Sequence, residues 1–219
     1  MVTTAKVKRH PMTQERVLVG ALELADRIGV ADLTIRRLAE TLDSKPMTIY
    51  HHVPSKDAIL DGIVDLVFAE IELPDPELDW KPAVRARCVS AREVLARHPW
   101  AVPLMEARRS PGPATLRHHD AVVACLRRGL SLPMTAHAYA VLDAFVYGFA
   151  IQEAALPTPG DDMTAVVDDL VNEQFAEHFP ALHAFTVDHA MQPGYDFGDE
   201  FDFGLDLILD GLDARAAEG

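Results

Sequence analysis

The stretch 34–56, TIRRLAETLDSKPMTIYHHVPSK, constrains the chain most, because it predicts two short helices joined by a tight connection. Thr34 is a good N-cap, since its hydroxyl can accept a hydrogen bond from an unpaired backbone N–H, and apolar residues then recur at helical spacing as far as Leu42. Pro46 fits the first turn of a second helix, where a missing N–H costs nothing. We therefore predict helices over 35–42 and 45–52.

The second of these helices has an unusual outward face. Ile49 and Val53 would point inward, leaving a cation, a thioether, a hydroxyl, a phenol and two imidazoles outside. Such groups can hydrogen-bond phosphates and contact base edges and thymine methyls, as a recognition helix does in a DNA major groove. The alternative is that Tyr50 and His52 only brace the helices. The outward residues are Lys45, Met47, Thr48, Tyr50, His51 and His52.

The segment LAETLDSKPMTIYHHVPSKDAIL resembles the DNA-binding segment of the tetracycline-repressor (TetR) family. That family's pattern is a hydrophobic residue and Ala, a Leu-Gly turn, a Tyr followed two residues on by His, a hydrophobic residue, and then a Lys. This chain has Asp43 and Ser44 where the family has Gly-Val. Asp tolerates a left-handed backbone better than most residues, so we expect the turn to be kept at some energetic cost.

The resemblance also implies which residues contact DNA. Arg36 stands where the tetracycline-repressor subgroup has a base-reading Arg, although a solvated charge is the alternative. His52 and Lys56 match positions that contact the DNA backbone. The predicted DNA-binding residues are Thr34, Arg36, Lys45, Pro46, Met47, Thr48, Tyr50, His51, His52 and Lys56.

The distribution of charge supports a nucleic-acid partner, although the net charge of −14 alone argues against one. Residues 1–56 contain nine Lys/Arg against six Asp/Glu, whereas residues 157–219 contain fifteen Asp/Glu and Arg215 as their only Lys/Arg. A positive N-terminal part on an acidic remainder will orient towards phosphates. Residues 1–12, with Lys6, Lys8 and Arg9, are either a DNA-contacting arm or a plain mobile tail.

The remaining periodicity is helical, so the predicted fold class is all-α. Small residues recur every four positions at Ala136, Ala140, Ala144 and Gly148, which predicts close packing against another helix. A last helix over 199–216 is apolar over too wide an arc for one neighbour, which predicts a subunit interface. Other helices are predicted over 13–28, 56–72, 80–97, 100–109, 114–128 with Gly129 as its cap, 135–156, 162–178 and 180–191.

The C-terminal part also resembles the tetracycline-repressor subgroup, through His98-Pro99-Trp100, Gly129-Leu130-Ser131 and the spacing to Phe145, Gly148 and Glu153. The resemblance implies a homodimer that binds a palindromic operator in double-stranded DNA and has a small-molecule effector cavity in each subunit. The predicted organisation is a flexible basic arm (1–12), a three-helix helix-turn-helix DNA-binding domain (13–56), a connecting helix (57–73), and a helical ligand-binding and dimerisation domain (74–219).

An ungapped alignment with the subgroup implies the effector contacts. Met105 and Arg108 replace its metal-binding His and Thr, so magnesium-bound tetracycline is not the expected effector. Glu72 also aligns with a contact position, and Phe145 and Phe149 are candidate walls. The alternative is that these residues are simply core or surface. The predicted ligand-binding residues are Arg87, Trp100, Met105, His118, Tyr139, Asp143, Tyr147 and Gln152.

Several other classes of protein are not expected. No two of the ten histidines are three or four residues apart, so no helix presents a two-histidine metal site, and we predict neither metal nor cofactor. Cys88 and Cys125 are expected to be buried free thiols. The G-x-S-x-G, P-loop and H-E-x-x-H motifs are absent, so an enzyme is not expected. With no apolar run of 18 residues and no signal-like N-terminus, we expect a cytoplasmic protein with no membrane span.

The favoured function is a ligand-responsive transcriptional regulator. A repressor that releases its operator on binding a small molecule is favoured, although an activator has the same sequence features. The alternative function is a non-enzymatic protein-interaction module that uses the acidic, apolar C-terminal helix, with a vestigial DNA-binding part.

Overall fold

The computed structural model describes residues 11–107, 110–156 and 171–217. Helices dominate these residues and no β-strand occurs among them, which confirms the all-α prediction. Cys88 and Cys125 are buried free thiols, as expected. The helices bury two hydrophobic cores, one around the N-terminal helices and one in the rest of the described chain.

The N-terminal core is closed by three helices that we call the head. Thr13 and Thr34 cap two of them, because each side-chain oxygen accepts from a backbone N–H three residues on. Gly29, with φ of +76°, ends the first helix in a conformation that favours glycine. The bounds agree with those predicted: α1 is Gln14–Ile28, α2 is Ile35–Thr41 and α3 is Pro46–His52.

The turn between α2 and α3 keeps the left-handed backbone that the sequence led us to expect. Asp43 has a positive φ of 47°, and among the described residues it is the one non-glycine with φ above zero. The backbone N–H of Ser44 donates to the carbonyl of Ala39 at 2.8 Å, which closes the turn. Asp43 therefore keeps the turn at the cost of a strained conformation.

A single helix, α4 (Lys56–Glu70), leads from the head into the rest of the molecule. Ser55 caps it by accepting from the N–H of Ala58 at 3.0 Å. Its first half contributes Ile59 and Ile63 to the head core, and its second half contributes Val67 and Phe68 to the other core. Helix α4 ends two residues before the predicted end at residue 72, because Ile71 has an extended backbone conformation and its side chain is buried.

The remaining helices form a bundle that we call the body. Its elements are α5 (Trp80–Arg97), α6 (Ala101–Ala107), α7 (Pro113–Leu126), α8 (Leu132–Ala154), α9 (Glu173–His178), α10 (Pro180–Phe185) followed by a π-helical turn (Thr186–Ala190), and α11 (Asp199–Ala217). Helix α4 packs on α7, α5 packs on α7 and α8, and α11 packs on α8 and α5.

Three of the differences from the predicted helix ends have local causes. α8 begins three residues early because Ser131 caps it and Pro133 lies in its first turn. Gly129 does not cap α7, which ends at Leu126; a Cβ at Gly129 would lie 1.9 Å from the Trp80 ring, so close packing explains the glycine. The helix predicted over 162–178 is interrupted at Asn172, which caps α9, and its residues 162–170 lie outside the described chain.

Two helix faces of the body remain uncovered within the described chain. The small residues Ala136, Ala140 and Ala144 of α8 are exposed, so the close packing predicted for them does not occur among the described residues. On α11, Phe203 and Leu207 are 67% and 58% exposed. Among the described helices, α8 has the length and composition to cross a membrane, yet it also contributes Ala138, Leu142 and Val146 to the body core, as core helices do.

Candidate functional site

The outward face of α3 is the first candidate site. Ile49 and Val53 are buried and hold the helix on the head core, while Met47 and Tyr50 are 67% and 44% exposed. Lys45, Pro46 and His51 are also exposed, and Thr48 and His52 are half-buried. Among the described residues, no hydrogen bond or ion pair restrains these side chains, so the face is accessible to a large ligand.

Thr34, Arg36 and Lys56 lie at the ends of neighbouring helices. The hydroxyl of Thr34 accepts a hydrogen bond from the N–H of Arg37 at 3.2 Å, so this exposed residue caps α2. Arg36 is largely exposed and its Nε donates to Glu40 at 3.1 Å. Because an exposed pair of this kind contributes about 0–1 kcal/mol, Arg36 can exchange Glu40 for a phosphate or base at little cost.

The second candidate site is a cavity of about 360 Å³ in the body. α4 contributes one wall, the segment before α7 contributes another, and α7 and α8 close it. Its apolar surface comes from Val64, Phe68 and Met105, with the rings of Tyr139 and Tyr147 beside them. Its polar lining is Asp61, Glu106, Ser110, Thr115, His119 and Asp143.

A buried cation lies directly behind this cavity. Arg87 is 1% exposed; its Nη1 donates to Oδ1 of Asp143 at 3.2 Å, and its Nε donates to Nε2 of His118 at 2.9 Å. Arginine has no lone pair to offer, so Nε2 of His118 must be the acceptor and Nδ1 must carry the hydrogen. Burial, and then the charge of Arg87, lower the pKa of His118 to about 3, so its ring is neutral.

The cavity presents neutral donors beside a carboxylate. Burial, and then the charge of Asp143, raise the pKa values of Tyr139 and Tyr147, so both phenols keep their protons at neutral pH. Tyr139 is hydrogen-bonded to Nδ1 of His119, whose pKa is lowered by burial. The arrangement suits the binding of a molecule with an apolar ring system and hydrogen-bonding substituents.

The structure brings together some of the predicted ligand residues and separates others. Met105, Tyr139, Asp143 and Tyr147 line the cavity, with Arg87 and His118 in the layer behind it.

Trp100 and Gln152 do not line the cavity. Nε1 of Trp100 donates to Asp26 of α1 at 2.7 Å, because the turn before α6 carries the ring to the head. Gln152 is exposed near the end of α8, beside another shallow surface pocket. The proposed walls Phe145 and Phe149 pack against Phe201 of α11 instead. Glu72 donates its backbone N–H to Ser90, and Arg108 lies outside the described chain.

The sequence interpretation missed the wall that α4 contributes. Asp61, Val64 and Phe68 recur at i, i+3 and i+7, which places them on one face of the helix. That periodicity was the available signal, although Val64 and Phe68 equally suit a plain core face. Thr115 and His119 of α7 are four residues apart, as Val64 and Phe68 are, and therefore also lie on one helix face. No group of three or more His, Cys, Asp or Glu among the described residues is placed to hold a metal ion.

Two family models match most of the chain. One, described as "Bacterial regulatory proteins, tetR family", matches residues 17–63. The other, described as "Tetracyclin repressor-like, C-terminal domain", matches residues 73–216. The first spans the helices that carry the exposed α3 face, and the second spans the cavity residues of α6, α7 and α8.

Individual relatives are similar over nearly the whole length. The HTH-type transcriptional repressor DrrR1 of Streptomyces coeruleorubidus is 33% identical, over 94% of this chain and 79% of its own. An HTH-type transcriptional regulator of Saccharopolyspora erythraea is 31% identical, over 94% and 86%. The crystal structure of the Streptomyces coelicolor TetR family protein ActR in complex with actinorhodin superposes with a TM-score of 0.76 at 29% identity, covering 94% of this chain and 99% of that one.

Proposed function

Because the chain belongs to the tetracycline-repressor family, we propose that it binds a palindromic operator as a homodimer through α3 and releases it when a small molecule fills the body cavity. Family membership makes it a ligand-responsive, DNA-binding transcriptional regulator. The observation that carries the mechanism is that one helix, α4, contributes both to the head core and to the cavity wall. We propose that it acts in the cytoplasm, where it has access to DNA, and that it has no catalytic role.

We propose that the exposed side chains around α3 divide into base and phosphate contacts. Arg36 is suited to pair bidentately with guanine, and Met47 is suited to a thymine methyl. The cations Lys45 and Lys56 and the polar groups of Tyr50 and the histidines are suited to phosphates. Support comes from the exposure of all of these residues except the half-buried His52, and from the buried Ile49, which fixes the opposite face of the helix.

We propose that a second copy of the chain covers the open faces of α8 and α11. Ala144 and Gly148 would let a partner helix approach closely, and Phe203 and Leu207 would lose their exposure to water. A two-fold axis through this face would present two copies of α3 to DNA about one turn apart, which requires a palindromic operator.

We propose that the effector is a small organic molecule with an apolar ring system and hydrogen-bonding groups. Asp143 offers an acceptor held in place by Arg87, while Tyr139 and Tyr147 offer phenol groups. The relative ActR binds actinorhodin, which supports an organic effector for this chain without identifying it. Occupancy would shift the population of α4 orientations and so the spacing of the two heads.

The test begins with DNA. Fragments of the source genome that the purified protein retains would be sequenced, and the recovered operator would be used in binding assays at several salt concentrations. Tyr50→Ala should weaken operator binding about tenfold while helical content stays intact, because the phenol and its ring lie on the exposed face of α3.

Val19→Ala is the matched control, since Val19 is exposed at 41% on α1 and should leave affinity unchanged. Equal operator affinity for wild type and Tyr50→Ala would contradict the proposed interface. Absence of salt-dependent binding to any retained fragment would contradict the function.

A further inference from the structure

A polar cluster outside both candidate sites connects the head to the body. Oδ1 of Asp26 accepts from Nε1 of Trp100 at 2.7 Å and lies 2.7 Å from Nδ1 of His98. On its other side, Nε2 of His98 lies 3.2 Å from Oε2 of Glu70. We call Asp26, Glu70, His98 and Trp100 the joint.

The members of the joint come from three separate elements. Asp26 is in the last turn of α1, Glu70 is the last residue of α4, and His98 and Trp100 belong to the turn between α5 and α6. Trp100 also packs against both hydrophobic cores. The joint is therefore a second attachment of the head to the body, in addition to the continuous chain through α4.

A second attachment changes what the head can do mechanically. Because the first half of α4 is part of the head core, a head joined to the body only through α4 can tilt where that helix enters the body, whereas a head also held at a second point cannot. Trp100 gives the bond its direction, because an indole Nε1 is always a donor and the carboxylate of Asp26 is an acceptor. We propose that the joint sets the angle of the head on the body, and that Asp26 and Trp100 are positioning residues for operator recognition. The inference rests on the proposed function.

Local helix stability does not explain Asp26. A carboxylate in the last turn of a helix faces the negative end of the helix dipole, where cations are preferred. Alanine at this position would favour α1 itself, so Asp26 serves contacts outside its helix. Its carboxylate is about one-third exposed while His98 is nearly buried, so the body side of the joint is preformed and the head side is the part able to detach.

The test compares Asp26→Ala, Trp100→Phe and the double variant in the full-length protein. Trp100→Phe keeps an aromatic ring between the two cores and removes the Nε1 donor together with the second ring of the indole. We expect each single variant to bind the recovered operator about tenfold more weakly, because about one-third of the heads, and therefore about one-tenth of the dimers, would then have the competent angle. The double variant should bind about as weakly as Asp26→Ala alone, since both changes remove the same bond.

Glu23→Ala is the control, because Glu23 is an exposed acid on α1 and its removal changes the net charge equally. All variants should keep the wild-type salt dependence of binding and should remain folded at the assay temperature, which separates orientation from lost phosphate contacts and from unfolding. Wild-type operator affinity in Asp26→Ala and Trp100→Phe, or tighter binding in either, would overturn the proposal.

A measurement without DNA separates this proposal from the proposed function. In ¹⁵N relaxation of the deuterated protein, the amides of α2 and α3 should reorient faster relative to the body in Asp26→Ala and Trp100→Phe than in wild type or Glu23→Ala. Unchanged relaxation would refute the joint even if the protein binds its operator. Faster reorientation in a protein that binds no operator would support the joint and refute the function.

Discussion

The buried Arg87 provides the sharpest test of how the body is held together. Arg87→Met keeps a long unbranched side chain but leaves the carboxylate of Asp143 without its cation and Nε2 of His118 without its donor. Removing one partner of a buried ion pair costs about 3–5 kcal/mol. In a chain of this size each kcal/mol lowers the melting temperature by roughly 2–4 °C, so we expect a loss of roughly 6–20 °C.

Arg85→Met is the matched control, because Arg85 lies two residues away on α5 and also pairs with aspartates. Its side chain is 37% exposed and its partners, Asp202 and Asp206, are more exposed still. Each exposed pair contributes about 0–1 kcal/mol, so the loss of both pairs should lower the melting temperature by no more than about 8 °C. Differential scanning calorimetry at one protein concentration would compare the two, since association with a second copy would also shift the transition.

A second substitution tests the cause of the loss. Adding Asp143→Leu to Arg87→Met removes the uncompensated charge, and we expect it to restore at least half of the lost stability. Two results would refute the reasoning. One is an Arg87→Met loss no larger than that of Arg85→Met, and the other is a double variant less stable than Arg87→Met alone.

Three further predictions follow from other contacts. Because the pKa of His118 is lowered to about 3, its neutral ring contributes stability that is complete above about pH 6.5 and is lost as the pH falls towards 3. In urea titrations, His118→Gln should therefore lose less stability than wild type between pH 7 and pH 5, by up to about 1.4 kcal/mol per pH unit. An equal loss in the two proteins would contradict this. Asp65 accepts from the N–H groups of Ala114 and Thr115, so Asp65→Ala should lower the free energy of unfolding by about 2 kcal/mol, and no change in urea midpoint would show that α7 needs no such cap. Ala144→Glu should convert the proposed dimer into monomer in sedimentation velocity, and a dimer of wild-type affinity would exclude this face of α8 as the interface.

The head could be predicted from the sequence because its structure is determined locally. Thr13, Thr34 and Ser55 each precede a periodic apolar stripe, and each side chain caps the following helix as expected. Apolar residues at helical spacing, such as Leu38 and Ile49, then identify the buried faces. The outward residues of α3 could be predicted from the sequence, because a short helix has only one inward face and the remaining residues must face outward.

The cavity was predicted only in part, because residues from distant segments form it. Tyr139 and Asp143 lie one turn apart on α8, so an alignment that places one also places the other. The sequence did not predict the position of Trp100, because a three-residue change of direction before α6 decides whether its ring faces the cavity or the head. Neither periodicity nor composition encodes that direction. The predicted helix-capping role of Gly129 was wrong for a similar reason, since the residue that requires a glycine there is Trp80, about fifty residues earlier.

The acidic C-terminal helix has a role inside the chain that the sequence did not reveal. Asp202, Asp206 and Asp210 recur every four residues along α11 and pair with Arg85 and Lys81 of α5. These carboxylates therefore serve the packing of α11 on α5.

The outward face of α11 carries a different kind of residue. Phe203 and Leu207 follow the acidic positions by one residue each and point away from the body. Nothing in this arrangement favours the alternative of an acidic docking helix for a foreign protein, because the charged stripe is already engaged with α5. A face that exposes apolar side chains beside the small residues of α8 is instead suited to an identical face, since two copies would bury their apolar side chains together without bringing their acidic stripes into contact.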